Sequence, residues 1–218
     1  MKLLFPLLAA GLLSTGATAQ IMVPPGPGGV PGRMPTRALG PTGYATAQPG
    51  TCVLPDSSRV KGELWLRYGK HPNLEVETDD GQKREYTPRQ LAYFTIGPAT
   101  FVPVDFVQNA RSTDSTSITP VFAKVLEKGN IEVLRYSYTA NVGGVRMSTL
   151  LLRQRGATTW AQLPEGGAMT SQKRLREVVG PLVADQPSYA RILTTGRITI
   201  ENLPEFLHSY NAYAAKQP

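Results

Sequence analysis

The sequence predicts an α+β fold: an antiparallel β-sheet or small open barrel, followed by two or three C-terminal helices packed on it. Three observations carry this prediction. Short apolar runs with period-two alternation recur between turn residues over positions 59–163. From residue 168 onward the apolar residues switch to helical i, i+3, i+4 spacing. The apolar stripes of those helices need a surface to bury against, and the sheet supplies one.

The chain has 218 residues, 41% hydrophobic and 8% aromatic, which suits one domain of ordinary size with unstructured length to spare. Its single cysteine, Cys52, excludes an intrachain disulfide and a cysteine-only metal site, so the core must hold the fold. The formal net charge of +7 favours acidic partners in general. No dense Lys/Arg run concentrates that charge, so it reads as a solvated basic surface and argues against nucleic acid as the partner.

Residues 1–19 read as a secretory signal peptide. Lys2 supplies the positive start, Leu3–Leu13 the apolar run, and Ala17-Thr18-Ala19 the small-residue cleavage pattern, with cleavage after Ala19. The apolar run is too short to span a bilayer, and no later run is long enough for a transmembrane helix. Residues 20–58 are dominated at first by Gly and Pro, which remove backbone donors and raise the entropy cost of ordering. They predict a disordered linker. The expected location is therefore secreted or periplasmic.

The domain is expected over 59–213, β-rich to 163 and helical from 168, with 214–218 as a tail. Gly62–Tyr68 alternates, with Leu64, Leu66 and Tyr68 on one side and Glu63, Trp65 and Arg67 on the other. Asn73–Thr78 is a second alternating run, and Asp79-Asp80-Gly81 turns it into Lys83–Tyr86. Thr87-Pro88 opens a short helical turn. Tyr93–Ile96 and Thr100–Val107 read as strands, the second at an edge or bulged at Pro103. Asn109–Thr119 reads as a loop. Val121–Leu126 and Ile131–Tyr138 flank the polar break Glu127-Lys128-Gly129-Asn130 and suggest a hairpin. Phe122 and Leu126 also fit i, i+4 spacing, so the first arm has a helical alternative. Ser148–Gln154 and Thr158–Leu163 complete the β region. Ser171 caps a first helix interrupted at Gly180-Pro181, Asp185 is a candidate cap for a second, and Asn202 with Glu205 for a third.

The strand pair FAKVLEKGNIEVLRY and the tail LREVVGPLVADQPSYARILTTGRITIENLPEFLHSYN resemble those of uncharacterised secreted proteins of Bacteroidota. In that group the tail tends to end in a Tyr-Asn pair, here Tyr210-Asn211. It often carries Asp-Cys-Pro before the middle helix, where this chain has Asp185-Gln186-Pro187. The missing cysteine weakens the case for carrying over a thiol function from that group. The resemblance implies a secreted or envelope location and no known activity, so it assigns no functional residue.

No catalytic constellation emerges. His71 and His208 are far apart and lack metal-ligand spacing, and Gly-x-Ser-x-Gly and phosphate-binding glycine loops are missing. No metal or cofactor is assigned. Asp79, Asp80, Glu85 and Asp105 are the carboxylates for an alternative hydrolase of an acidic glycan or lipid. Trp65, Arg67, Tyr93, Arg135 and Tyr136, with Tyr68 and Arg153 nearby in pattern, are the candidate binding residues. A basic aromatic sheet face of this kind would stack bases or sugars or take an anionic ligand. The leading expectation is an exported, non-enzymatic envelope protein that meets an envelope protein or an anionic surface.

Overall fold

The computed structural model describes residues 46–69, 71–107, 118–139, 146–165 and 171–217. The segments read as a signal peptide and as a linker up to residue 45, residues 109–117 of the loop read at Asn109–Thr119, and the loop read at 141–144 lie outside the described residues, while Ile118 and Thr119 belong to a strand. Among the described residues, ten strands form one antiparallel sheet: β1 (Gln48–Val53), β2 (Arg59–Arg67), β3 (Asn73–Glu77), β4 (Lys83–Tyr86), β5 (Tyr93–Ile96), β6 (Ala99–Val107), β7 (Ile118–Glu127), β8 (Ile131–Thr139), β9 (Arg146–Gln154) and β10 (Ala161–Glu165). Three helices follow: α1 (Gln172–Val179), α2 (Pro187–Thr194) and α3 (Leu203–Ala214). The predicted α+β class is what forms, with an open sheet rather than a closed barrel.

The strand order is β10-β9-β8-β7-β6-β5-β1-β2-β3-β4. Two meanders thus meet where β5 pairs with β1 (Cys52 opposite Phe94). Only Thr87–Ala92 separates β4 from β5, although β3, β2 and β1 lie between them. A flat sheet would set those strands about 19 Å apart, near the full reach of so short a segment. The sheet therefore curls, and the 3-10 turn Pro88–Gln90 crosses its concave face to contact β6 and β7. Gln90 Oε1 accepts a hydrogen bond from the Thr87 backbone N–H at 2.8 Å, which fixes that turn. The same curl lets the Arg146 guanidinium on β9 lie 4.4 Å over the Tyr68 ring beyond the end of β2. Burial pushes the Tyr68 phenol up in pKa, and Arg146 draws it partly back.

Three apolar groups fill this frame. Cys52, Leu64, Leu66, Leu74, Val76, Phe94 and Phe122 form one core inside the curl. Ile131, Val133, Leu150, Leu152 and Leu163 hold the helices through Leu175, Val179, Leu203, Leu207 and Tyr210. Leu134, Tyr136 and Leu151 point to the other side of β8 and β9 and join Val104, Val121 and Ala123. Both sheet edges are blunted. β4 is short and carries Lys83, Arg84 and Glu85, and β10 contains Pro164.

The structure departs from the sequence reading at several places. Residues 48–53, read as the end of the linker, form β1, with Cys52 wholly buried and its thiol donating to the Val60 carbonyl. The Gly and Pro around this strand masked its pattern, yet Gly50 is needed there, since any Cβ would strike the Thr95 carbonyl. Val121–Leu126 is strand, because ladder pairing to β6 and β8 outweighs its weak helical spacing. Pro103 lies inside the sheet. The β5 ladder stops at Phe101, so Pro103 has a partner strand only on the β7 side and is locally an edge position. The last strand is shifted to Ala161–Glu165. Ser171 caps α1 as read, accepting from the Arg174 N–H. Asp185 does not cap α2: Gln186 occupies that position, and the carboxylate is engaged elsewhere. Asn202 begins α3 without a side-chain cap, because its Oδ1 accepts from the Thr199 N–H and its amide donates to the Arg197 carbonyl.

Candidate functional site

The polar break between β7 and β8 is where the chain gathers its chemistry. The β7–β8 ladder shifts register between Val125 and Glu127. Ile131, the first residue of β8, pairs with Gln154 of β9 on one side and meets a side chain instead of β7 on the other. Asn211 Oδ1 accepts from the Ile131 N–H at 2.8 Å, and its Nδ2 donates to the Ile131 carbonyl at 2.8 Å. One amide thus bonds both backbone groups as a neighbouring strand would. Asn211 is only 6% exposed, so these bonds are made out of water. Its Nδ2 also lies 3.3 Å from Glu127 Oε1. Gly129 makes room for the amide: a Cβ there would sit 2.6 Å from Asn211 Nδ2.

The preceding residue on α3 repeats the theme. Tyr210 donates its hydroxyl to Asp185, with oxygens at 2.7 and 3.0 Å, and accepts from Asn130 Nδ2 at 3.2 Å. Burial and the Asp185 hydrogen bond raise the Tyr210 pKa, and Asn130 opposes them. His208, three residues before Asn211, sets Nδ1 2.8 Å from Glu127 Oε2. That histidine side chain is 70% exposed and the glutamate 13%. A groove of about 590 Å³ lies over this cluster, with Lys128 and Arg155 among its lining. The chemistry on offer here is hydrogen bonding that fixes α3 to the turn.

A second groove, of about 440 Å³, lies on the face of β6–β9 opposite the helices. Val102, Val125, Thr158 and Trp160 line it, above the buried side chains of Val104 and Leu134. Arg153 stands at its side. The guanidinium lies 4.0 Å over the Trp160 ring, donates from Nε to Glu132 Oε2 at 2.9 Å, and contacts the same oxygen through Nη2. Stacking and a carboxylate together hold the side chain in one orientation. Lys128 lines both grooves.

The five residues read as a binding face are not brought together. Trp65 and Arg67 lie on β2, Tyr93 on β5, and Arg135 and Tyr136 on β8, with four strands between β2 and β8. Following the paired residues across the sheet puts Arg135 on the face opposite the other four. Trp65 is 9% exposed and Tyr136 5%, so neither ring presents a stacking surface. Arg135 is held by Glu165 through two 2.7 Å bonds. Of the seven aromatic and basic residues weighed, only Arg153 lines one of these grooves. Asp79 and Asp80 lie in the β3–β4 turn, where Asp80 accepts from the Gln82 N–H and the Thr78 hydroxyl. Those bonds lower the Asp80 pKa. His71 is exposed beside β3.

Tyr136 offers a direct check on this placement. Burial, with Tyr138 stacked 5.5 Å away, pushes its pKa from 10.0 up to about 12. A folded-state pKa above the unfolded one gives stability that is complete below pH 10 and lost as pH rises toward 12. Tyr136→Phe should therefore reduce the alkaline loss of stability by up to about 2–3 kcal/mol. Denaturant titrations at pH 9 and pH 11.5 would measure it. Equal alkaline losses in the two proteins would place the ring in solvent.

Sequence reasoning missed the role of Glu127, Gly129, Asp185 and Asn211. One signal was available: Asn211 sits four residues after Leu207 on the apolar stripe of α3, where a polar side chain must find a buried partner. Comparison with protein-family models, curated proteins and solved structures found no match for this chain.

Proposed function

We propose that the chain is an exported, non-enzymatic cell-envelope protein that works through surface contacts made at the β6–β9 groove. The observation that carries this reading is the unequal use of the two faces of β8 and β9. One face is taken up by the helices. The other offers the partly buried apolar side chains of Val102, Val125 and Trp160 beside a fixed Arg153–Glu132 pair. Apolar side chains beside a few oriented polar groups are the usual form of a binding site. Export rests on the signal pattern of residues 1–19.

The hydrolase alternative draws less support. Asp105 and Glu132 both line the groove. However, Asp105 pairs with Pro120 whereas Glu132 adjoins Val133, the partner of Glu127. Those positions are on the order of 20 Å apart along β7. Paired glycosidase carboxylates stand about 5–9.5 Å apart.

Producing the full chain in a bacterium, fractionating the cells and sequencing the mature N-terminus tests export. The expected product begins at Gln20 outside the cytoplasm, and an intact Met1 chain in the cytosol would overturn it. Turnover of an acidic glycan or lipid that Glu132→Gln or Asp105→Asn abolished would remove the non-enzymatic part of the reading.

A further inference from the structure

We infer that the open edge of β6 docks an extended polypeptide segment of a partner, which adds beside Val102–Val107 as a further strand and sets a basic side chain against Asp105. The inference rests on the groove being the contact surface proposed above and names the chemistry of its occupant. Of the nine residues of β6, β5 pairs with only Ala99, Thr100 and Phe101. From Val102 to Val107 the strand pairs with β7 and has no strand on its other side among the described residues. That is about 20 Å of open edge. The 3-10 turn Pro88–Gln90 touches β6 from the concave face, but the N–H groups of Gln90, Leu91 and Ala92 donate to Thr87, Pro88 and Val53, not to β6. The groove follows this edge, since Val102, Pro103, Val104 and Asp105 all line it. Successive side chains of a strand point to opposite faces, so four consecutive residues are reached together only along the strand's flank.

The register shows which backbone groups look outward. The two-residue turn Gly97-Pro98 is closed by the pair Ile96–Ala99, which in such a hairpin exchanges both its bonds. Alternate residues from Ala99 onward therefore turn their backbone groups to the β5 side. Pro103 agrees with this parity, because it has no N–H to give Phe122 on β7. Beyond Phe101 the open side thus receives the Pro103 carbonyl and the N–H and C=O groups of Asp105 and Val107. A row of backbone donors and acceptors selects an extended polypeptide over a lipid or a sugar. Side chains narrow the choice. Asp105 is exposed and makes no hydrogen bond or ion pair among the described residues. A residue directly opposite shares its face, so a basic one is favoured there. On the other face the flanking residues of the segment meet Val102 and the cluster of Val104, Val121 and Ala123, which suits apolar side chains. Two-fold pairing with the β6 of a second copy would set the two Asp105 carboxylates opposite or diagonal to each other, which is repulsive. Pro103 and Asp105 thus blunt self-association and leave the edge to a segment that alternates apolar and basic residues.

Amide hydrogen exchange of the mature protein tests the edge itself. The Asp105 and Val107 N–H groups should exchange freely, and those of Val104 and Phe106, bonded to β7, should be protected. Protection of Asp105 and Val107 in the free protein would overturn the inference, because the chain would then cover its own edge. The occupant is tested with a blocked peptide of about nine residues that alternates valine and lysine. It should bind and slow exchange at Asp105 and Val107 by about tenfold or more. N-methylation of its lysines, whose N–H groups would face β6, should abolish binding, whereas N-methylation of its valines should not. Glutamate in place of lysine should weaken binding about tenfold or more, and Asp105→Lys should reverse that preference. Absent binding, binding of the lysine-methylated peptide, or an unchanged preference in Asp105→Lys would overturn the inference. If a photoreactive group at Thr158 then still cross-links to an envelope protein, the contact reading stands without it.

Discussion

Replacing Asn211 by Ala is expected to lower the unfolding free energy by about 2–4 kcal/mol, and Gly129→Ala to cost nearly as much. The Ile131 backbone is wholly buried, and Asn211 bonds both its N–H and its carbonyl. Deleting the amide leaves two buried polar groups without partners, at about 1–3 kcal/mol each. Gly129 does not adopt positive φ, so alanine there carries no backbone penalty. Its cost comes from space, because the new methyl group would occupy the volume of the Asn211 amide. The two substitutions therefore remove the same interaction. The double variant should cost little more than either single one, giving a coupling energy of about 2 kcal/mol in a double-mutant cycle. Urea titrations of the four proteins would measure it. Additive costs would mean that Gly129 is not there to admit Asn211.

That pair marks the boundary of what the sequence discloses. Alternation and turn residues are local properties, and they located β3, β5 and β8 nearly to the residue and β2 except for its first three residues. The stripe Leu203, Phe206, Leu207 and Tyr210 located α3, and all four side chains are buried. Strand order and register are not local. Nothing in Gln48–Val53 announces that it pairs on both sides, with β2 and with β5. The candidate binding face failed to assemble for the same reason: aromatic and basic residues were grouped by type, whereas faces are decided by register. Conversely, Arg153 meets Glu132 because β8 and β9 set them directly opposite, and Trp160 because the segment leading into β10 folds over the groove. The Asn211 bond to Ile131 spans eighty positions, and only the docking of α3 against the bulged β7–β8 hairpin makes it.

Phe94→Ala is expected to cost about 3–5 kcal/mol, the range for truncating a buried aromatic ring. On a domain of this size that is a fall in melting temperature on the order of 10 °C. Phe94 is wholly buried, stacks parallel to Phe101 at 4.8 Å and meets the edge of Phe122 at 5.1 Å. Loss of the ring thus removes two aromatic contacts as well as apolar burial, and leaves a cavity that β1, β5 and β7 cannot close together. Phe94→Leu should recover most of the loss by filling the volume without the ring geometry. The more informative outcome concerns the helices, which Phe94 does not join. Phe122 belongs to the core inside the curl and Leu126 packs with the helical core, yet both lie on β7. A single strand rooted in both cores should transmit the damage, so helical circular dichroism and fluorescence should lose their signals at one temperature. Two separated transitions, with the helical one unmoved, would show that α1–α3 and their strands unfold as an independent unit. The Asn211 contact with Ile131 would then stabilise that unit alone, and its energetic coupling to Phe94 would be zero.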